Sequence, residues 1–271
     1  MQPFGWGLGG RFGLRAGWGW QRLAAGMSAD CNNAVERLDL ERTDDRLQVA
    51  LHQQRYDFVL ARLSPEDSVL EVGTGTGGFS QKVAGTCKKY AGLEYDASAC
   101  EVTRSRLGGH AAVLQGDAQA MPFPSGSFSA VVCLEVLEHL EHYRKAVGEI
   151  HRCLRPEGRA MISVPYRRIG GPNPSNRFHL YEPGEKELVA EFRRYFTRVE
   201  TFYQYFEEPR WMTLARVLHL RSVVGLASVY RDLALGTPET TARLQVATKP
   251  GGLKINLLLV AAEPRTTPST G

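Results

Sequence analysis

The most constraining feature of this sequence is a short apolar run that ends in four closely spaced glycines. The stretch reads VLEVGTGTGGFS over residues 69–80, and its glycines stand at positions 73, 75, 77 and 78. A helix-compatible segment begins near Phe79, so the pattern predicts a buried strand, a tight turn and a helix. Glycine permits backbone angles closed to other residues and lets a ligand lie against the main chain. The stretch therefore predicts a ligand at a helix N-terminus.

Two classes of ligand use a turn of this kind. Gly73, Gly75 and Gly78 satisfy the GxGxxG pattern of dinucleotide-binding proteins. Glu71 precedes them within the strand, and with Gly73, Gly75 and Gly77 it gives acid-x-Gly-x-Gly-x-Gly. The carboxylate of Glu71 would repel a pyrophosphate and tolerate or attract a cationic ligand. The pattern favours the cationic ligand, and a turn without any ligand is the remaining alternative.

The rest of the chain alternates between strand-like and helical segments. Strands are predicted near residues 69–72, 90–94, 112–115, 128–134 and 160–164, and closing strands near 197–202 and 254–261. This alternation predicts an α/β fold, a doubly wound, Rossmann-like, mostly parallel sheet. Ser98 and Glu101 predict a capping box at the start of one helix. Pro156-Glu157-Gly158 predicts a turn before the fifth strand.

Length and composition predict one elaborated domain. The chain has 271 residues with 43% hydrophobic content, enough for an α/β core that needs no disulfide or metal. We expect residues 1–26 to be a disordered N-terminal extension and 266–271 to be a tail. Residues 27–265 then form the domain, with a core over 64–202, a helical insertion over about 205–250 and a closing strand at 254–261.

Charge and cysteine content narrow the partners and the compartment. The net charge of +4 gives no nucleic-acid footprint, so a nucleic-acid partner is not expected. The five cysteines form no CxxC pair, which predicts a reducing, cytoplasmic location. No apolar run is long enough for a transmembrane segment. The apolar and basic stretch 211–235 predicts a substrate lid or a peripheral membrane helix, or more simply a helix packed on the sheet or on a partner subunit.

Polar residues follow the second and third strands. Glu94 comes about twenty residues after the first glycine, where a carboxylate accepts both ribose hydroxyls of an adenosine-type ligand. Tyr95 follows it and is expected on one face of the adenine. Asp117, at the end of the third strand, is placed to accept the adenine amino group, with the backbone of Ala118 facing the ring. A turn cap is the alternative for Asp117.

Four motifs in order make a family resemblance specific. They read EVGTGTG, GLEYD, GDAQAMPFPSGSFSAVVCLEVLEHL and EIHRCLRPEGRAMISVP. Together they resemble class I S-adenosylmethionine-dependent methyltransferases of the small-molecule group, which includes ubiquinone-biosynthesis and cell-surface-glycan methyltransferases. The resemblance covers roughly residues 60–202. It implies a seven-stranded sheet whose last strand is antiparallel, and S-adenosylmethionine as the cofactor.

The resemblance also implies a set of cofactor-binding residues. Gly73, Thr74, Gly75 and Gly77 would line the methionine part together with Glu71, although Thr74 departs from the small Cys or Ala of many relatives. Glu94 and Tyr95 would hold the ribose and adenine, Asp117 and Ala118 would flank the adenine, and Leu134 and Glu135 would close the pocket.

Candidate catalytic residues lie in LEVLEHL and in NRFHLY. Glu135, Glu138 and His139 share one face of a helical turn by their spacing. This string is similar to the metal site of certain ubiquinone-pathway and small-RNA O-methyltransferases, so a divalent metal is one interpretation. A base role for His139 and a purely structural role are the others. His179, after the fifth strand, is a second candidate base or ligand, and a hydrogen-bonded surface histidine is the alternative.

These patterns predict an S-adenosylmethionine-dependent methyltransferase, with O-methylation of a small-molecule acceptor as the expected reaction. One alternative is an NAD(P)-binding oxidoreductase, which should carry a Tyr-x-x-x-Lys or similar dyad after the fourth strand, where this chain reads LEVLEHL. The other is a non-catalytic cofactor-binding protein. The acceptor and the oligomeric state are left open by the sequence.

Overall fold

The computed structural model describes residues 45–108, 111–207, 244–250 and 252–266. The predicted extension over residues 1–26 lies outside the described residues, as do the stretch 211–235 and nearly all of the tail. No helix within the described ranges is long and apolar enough to cross a membrane.

The described part of the chain forms one sheet of eight strands with helices between them. The strands are β1 (Ser68–Val72), β2 (Lys89–Glu94), β3 (Ala112–Gln115), β4 (Phe128–Leu134), β5 (Leu154–Pro165), β6 (Phe196–Glu207), β7 (Leu244–Ala247) and β8 (Gly252–Pro264). The helices are α1 (Arg46–Leu60), α2 (Ser80–Thr86), α3 (Ala97–Leu107), α4 (Tyr143–Cys153) and α5 (Glu185–Tyr195), with a 3₁₀ turn at Leu137–His139.

The strand order creates a crevice beside the glycine turn. The order is β3-β2-β1-β4-β5-β8-β6-β7, and the neighbours from β3 to β5 are parallel. From β1 the chain runs outward to β3 and then returns to the other side of β1 as β4. Open α/β sheets bind their ligands at such a switch point, outside the carboxyl ends of the strands. The fold therefore places the segments after β1 and β4 at the edges of one crevice.

The doubly wound, mostly parallel sheet that the sequence predicted is confirmed, but it has eight strands instead of seven. β8 is antiparallel to both β5 and β6, as the resemblance implied. The additional strand is β7, which pairs antiparallel with β6 at the sheet edge. It lies at the end of the segment predicted to be a helical insertion, so this end is a strand, because β6 continues to Glu207 and offers it a free edge.

Two local predictions were wrong. The N-cap of α3 is Asp96, whose carboxylate accepts from the Ala99 N–H at 2.9 Å, so Ser98 forms no capping box there. The residues predicted as a turn, Pro156–Gly158, lie within β5 instead. The register with β4 shifts in this region, so these residues form an irregular extension of the strand. The first difference arises because Asp96 rather than Ser98 caps the helix, a local hydrogen bond that residue type alone leaves open.

Burial follows the apolar pattern of the strands. Four consecutive residues of β4, Ala130–Cys133, are fully buried, as expected for a central parallel strand covered on both faces. One apolar cluster lies between the sheet and α4 and α5, and a second lies on the opposite face under α1, α2 and α3. Helix α1 places polar side chains as well as apolar ones against the sheet, since Arg55 and Tyr56 are both buried.

Candidate functional site

The glycine turn adopts the backbone that the sequence predicted. Gly73, Gly75 and Gly77 have positive φ values of 77°, 56° and 74°. A Cβ added to Gly73 would lie closer than 3.0 Å to Val136 Cγ2, so glycine lets the turn after β1 touch the segment after β4. Thr74 is buried within the turn, and its hydroxyl has no hydrogen-bond partner among the described residues. The two sides of the crevice therefore meet at Gly73.

Glu71 is a buried carboxylate with two tyrosine partners. The Tyr56 hydroxyl donates to its Oε1 at 2.5 Å, and the Tyr90 hydroxyl donates to its Oε2 at 2.6 Å. Burial raises the pKa of Glu71, and the hydrogen bonds from the tyrosines oppose that rise. Both oxygens thus have partners within the protein. Contact of Glu71 with a cofactor stays a prediction. Its hydrogen bonds to the two tyrosines fix the end of β1.

Glu94 ends β2 and lies against the glycine turn. Its Oε2 accepts from the Gly75 N–H at 2.9 Å, and its Oε1 accepts from the Asp96 N–H at 3.0 Å. Tyr95 follows with 76% of its surface exposed, at the outer rim of the crevice. The carboxylate therefore lies beside the glycine turn, and the contacts of Glu94 and Tyr95 with a ribose and an adenine stay predictions.

Asp117 and Ala118 follow β3 at the same edge of the sheet. The Asp117 carboxylate accepts from the Gln119 N–H at 2.8 Å, which is the turn-capping contact weighed as the alternative. Ala118 is buried beside it. Capping does not use all the acceptor positions of a carboxylate, so the adenine contact stays a prediction.

Leu134 and Glu135 lie at the carboxyl end of β4. Leu134 is partly buried, whereas Glu135 leaves the strand with a φ of 54°, uncommon for a residue with a side chain. The Glu135 carboxylate accepts from Ser163 Oγ on β5 and from Asn256 Nδ2 on β8, each at 2.7 Å. Such backbone conformations persist where surrounding contacts enforce them, often at functional sites.

Three side chains with possible metal-ligand atoms meet beyond Glu135. One ligand atom from each of Glu138, His139 and His179 lies within 4.8 Å of the others. The predicted trio contained Glu135 in place of His179. That assignment was wrong, because the LEVLEHL segment forms a short 3₁₀ turn and Glu135 is engaged by Ser163 and Asn256. The structure instead brings together the two histidines predicted to be catalytic, with their rings 4.8 Å apart.

Hydrogen bonds fix the tautomers of both histidines. His139 Nδ1 lies 3.0 Å from the Phe178 carbonyl oxygen, and His179 Nδ1 lies 2.6 Å from Glu182 Oε1. These oxygens only accept, so each Nδ1 carries a proton and Nε2 of the neutral ring carries the lone pair. The same second contact orients histidines that bind metals or act as bases.

Glu138 is the most unusual member of this Glu138–His139–His179 cluster. It is completely buried, and neither carboxylate oxygen has a hydrogen-bond partner among the described residues. Burial raises its pKa, the negative charge of Glu135 raises it further, and His179 opposes the rise. A buried carboxylate of this kind costs free energy unless it is protonated or gains a partner. The cluster can therefore take up a proton or a cation.

Sequence reasoning missed the residues that hold the site from outside. Glu182 is buried, and it accepts from His179, Arg167 and Asn173. Although burial raises its pKa, these partners lower it overall, which keeps it ionised beside His179. Tyr56 looked like part of an apolar stripe in the sequence. A hydroxyl inside such a stripe, and an acid three residues after a histidine, were the only signals available.

The central part of this chain has relatives among methyltransferases. Residues 70–162 match the methyltransferase domain family. A probable S-adenosylmethionine-dependent methyltransferase of Mycobacterium tuberculosis is 33% identical over 164 residues, covering 58% of this chain and 60% of the relative. The ubiquinone/menaquinone biosynthesis C-methyltransferase UbiE of Ectopseudomonas mendocina is 28% identical over 148 residues, covering 51% and 57%. The chain thus spans less than two thirds of the length of these relatives.

Solved structures are similar to this chain in fold over a larger part of its length than the sequence relatives, at lower identity. The N-methyltransferase NodS of Bradyrhizobium japonicum, in complex with S-adenosyl-L-homocysteine, has a TM-score of 0.55 at 18% identity, covering 91% of this chain and 98% of that chain. The cyclase SpnF has a TM-score of 0.53 at 19% identity, covering 78% and 81%. This fold therefore carries more than one reaction. Residues 70–162 are thus similar to the methyltransferase domain family, and the fold of the chain is that of the class I methyltransferases.

Proposed function

We propose that this protein is an S-adenosylmethionine-dependent methyltransferase that methylates a hydroxyl oxygen of a small molecule. The matched family and the curated relatives support the cofactor and the reaction class. The positive-φ glycine turn and the acid at the end of β2 support a cofactor site at the β1–β4 crevice. The acceptor oxygen is the finer part of the proposal, and it depends on the histidine cluster.

In the proposed cofactor site, Gly73, Thr74, Gly75 and Gly77 lie along the methionine part of the cofactor, together with Glu71. Glu94 accepts the ribose hydroxyls, a role for which its carboxylate already lies against the turn. Tyr95, Asp117 and Ala118 surround the adenine. Leu134 and Glu135 close the pocket from the side of β4.

The observation that carries the acceptor assignment is the position of the Glu138–His139–His179 cluster. Val136 touches Gly73, so the turn that bears Glu138 and His139 starts at the glycine turn itself. A methyl group presented there would face two imidazoles whose Nε2 atoms carry the lone pair. In the proposed step the acceptor oxygen attacks the methyl carbon, the carbon–sulfur bond breaks, and the hydroxyl proton passes to a histidine Nε2. The sulfide of S-adenosylhomocysteine leaves with the electron pair.

A divalent cation is the second candidate for activating the acceptor hydroxyl, and the side chains of the cluster fit such an ion. Glu138, His139 and His179 offer one oxygen and two nitrogens, which suits Zn²⁺ or Mn²⁺ and leaves positions open for an acceptor. When bound, such an ion would lower the pKa of a coordinated hydroxyl. Without it, the same two histidines bind and deprotonate the acceptor. Chelation separates these two versions of the site.

A labelled-methyl assay tests the proposed function. The full chain is incubated with methyl-labelled S-adenosylmethionine and a panel of phenols, sugars, amines and quinone precursors, since UbiE relatives methylate carbon. We expect transfer to a hydroxyl and a loss of about 100-fold or more in His139→Ala and His179→Ala. His142→Ala is the matched control, because that histidine is exposed and its side chain forms no cap to α4.

Two outcomes would contradict parts of this proposal. Transfer only to carbon or nitrogen acceptors would remove the hydroxyl assignment while leaving the cofactor class intact. Full activity of both histidine variants would remove the cluster from the chemistry.

Activity that persists after exhaustive treatment with a chelator would exclude the cation and leave the histidines as the bases. Activity lost in chelator and restored by one added metal would favour the cation.

A further inference from the structure

Helix α1 carries a buried cation next to the proposed cofactor site. Arg55 is 2% exposed, and its Nη1 donates to Gln204 Oε1 at 3.0 Å and to Asn256 Oδ1 at 3.1 Å. Within residues 45–108, 111–207, 244–250 and 252–266 it forms no ion pair with a carboxylate. An isolated buried charge is costly, so a compensating negative charge is expected close by.

The compensating charge is reached through the amide of Asn256. Its Oδ1 accepts from Arg55, and its Nδ2 donates to Glu135 Oε2 at 2.7 Å. A guanidinium only donates and a carboxylate only accepts, so this orientation of the amide satisfies both neighbours and the flipped orientation satisfies neither. The amide therefore links a buried cation on α1 to the carboxylate that follows β4.

The remaining contacts hold both ends of this Arg55–Asn256–Glu135 relay. Gln204 accepts from Arg55 and donates from Nε2 to the Leu51 carbonyl oxygen at 3.0 Å, which ties β6 to α1. At the other end, Ser163 donates to Glu135 Oε1 at 2.7 Å, so the carboxylate is held at both oxygens in its positive-φ conformation. The contacts therefore give the amides of Gln204 and Asn256 one favourable orientation each.

The same helix also holds the other carboxylate of the crevice. Tyr56, the residue after Arg55, donates to Glu71 on β1. Two consecutive residues of α1 thus control Glu71, just before the glycine turn, and Glu135, just after β4. Helix α1 lies outside the segment that matches the methyltransferase domain family, residues 70–162. Part of the positioning of the crevice therefore comes from outside the matched domain.

We propose that Arg55 is a positioning residue, which acts through Asn256 to hold the Glu135 carboxylate toward the cationic methionine end of the cofactor. This inference rests on the proposed function, because Glu135 closes the proposed cofactor pocket. Among the described residues, Arg55 donates hydrogen bonds to the side-chain amide oxygens of Gln204 and Asn256, so we expect its effect on the cofactor to pass through Glu135. The relay thus couples the packing of α1 to cofactor affinity.

Binding of S-adenosylhomocysteine, measured by calorimetry on the full chain, tests the relay. Arg55→Met, Asn256→Asp and Glu135→Gln are each expected to weaken binding about tenfold or more, since each removes a hydrogen bond of a charged group. The decisive variant is the double, Arg55→Met with Glu135→Gln. If Arg55 acts only through Glu135, the double variant binds S-adenosylhomocysteine no more weakly than the single variant with the lower affinity. Arg62→Met is the matched control, because that arginine packs on Phe58 and Phe202 outside the relay.

Asn256→Asp keeps the test informative if removal of Arg55 prevents folding. A carboxylate there still accepts from Arg55, so the buried cation keeps its anchor, but it repels Glu135 instead of donating to it. We expect this variant to unfold near the wild-type denaturant concentration and yet to bind S-adenosylhomocysteine more weakly.

The outcomes separate the relay from the proposed function. Wild-type affinity in Asn256→Asp, or single effects that multiply in the double variant, would overturn the relay while the cofactor assignment stands. Absence of binding by the wild-type chain would overturn the proposed function itself.

Discussion

Replacement of Gly73 by alanine should impose two costs that glycine avoids at the turn, a strained backbone and a clash with Val136. The residue has a φ of 77°, and an added Cβ would lie closer than 3.0 Å to Val136 Cγ2. A left-handed backbone costs a non-glycine residue roughly 1–2 kcal/mol. Forcing Val136 to move adds about 1–3 kcal/mol of overpacking. We therefore expect Gly73→Ala to lower the free energy of unfolding by about 2–5 kcal/mol.

Gly75 supplies the matched control for that experiment. Its φ of 56° is also left-handed, but an added Cβ would meet nothing within 4 Å. Gly75→Ala should therefore cost only the backbone term, about 1–2 kcal/mol. Both values can be measured by urea denaturation of the chain without ligand. Equal losses in the two variants would refute the contact between the glycine turn and the segment after β4, on which the placement of the histidine cluster depends.

Two further predictions concern the acids of the site. Glu94→Ala should weaken binding of S-adenosylhomocysteine by about 1–3 kcal/mol in calorimetry, and unchanged affinity in a folded variant would remove Glu94 from the cofactor site. The pKa of Glu138 is raised in the folded protein, so ionisation favours the unfolded state above pH of about 4.3. Glu138→Gln should therefore raise the free energy of unfolding at pH 7 by about 1–3 kcal/mol and have little effect below pH of about 4. A stability difference that does not change with pH would contradict this account.

The sheet could be predicted from the sequence because its signals are local. The strands β3 and β4 were predicted with their observed bounds, since each is a run bounded by turn residues. The glycines predicted a positive-φ turn, because tolerance of positive φ is a property of the single residue. The edge strand β7 could not be predicted in the same way, because its four residues become a strand only by pairing with β6.

The candidate site was predictable in its parts but not in its assembly. His139 and His179 were recognised as candidates, yet their approach depends on the loop between β5 and α5. In that loop a backbone bridge pairs Gly171 with Glu182, and the ligand atoms of His179 and Glu138 lie within 4.8 Å of each other. The contact of Arg55 with Asn256 joins residues 201 positions apart. Such contacts follow from topology, which neither residue type nor spacing reports.

The most direct test of the central claim is the choice of cofactor. Calorimetric titration of the full chain with S-adenosylhomocysteine should show one site per chain with an affinity in the micromolar range, and titration with NADH should show no binding. Glu94→Ala, measured in parallel, should bind S-adenosylhomocysteine more weakly and should still show no binding of NADH. Binding of NADH without binding of S-adenosylhomocysteine would contradict the proposed methyltransferase function and favour a dinucleotide-dependent oxidoreductase at the same glycine turn.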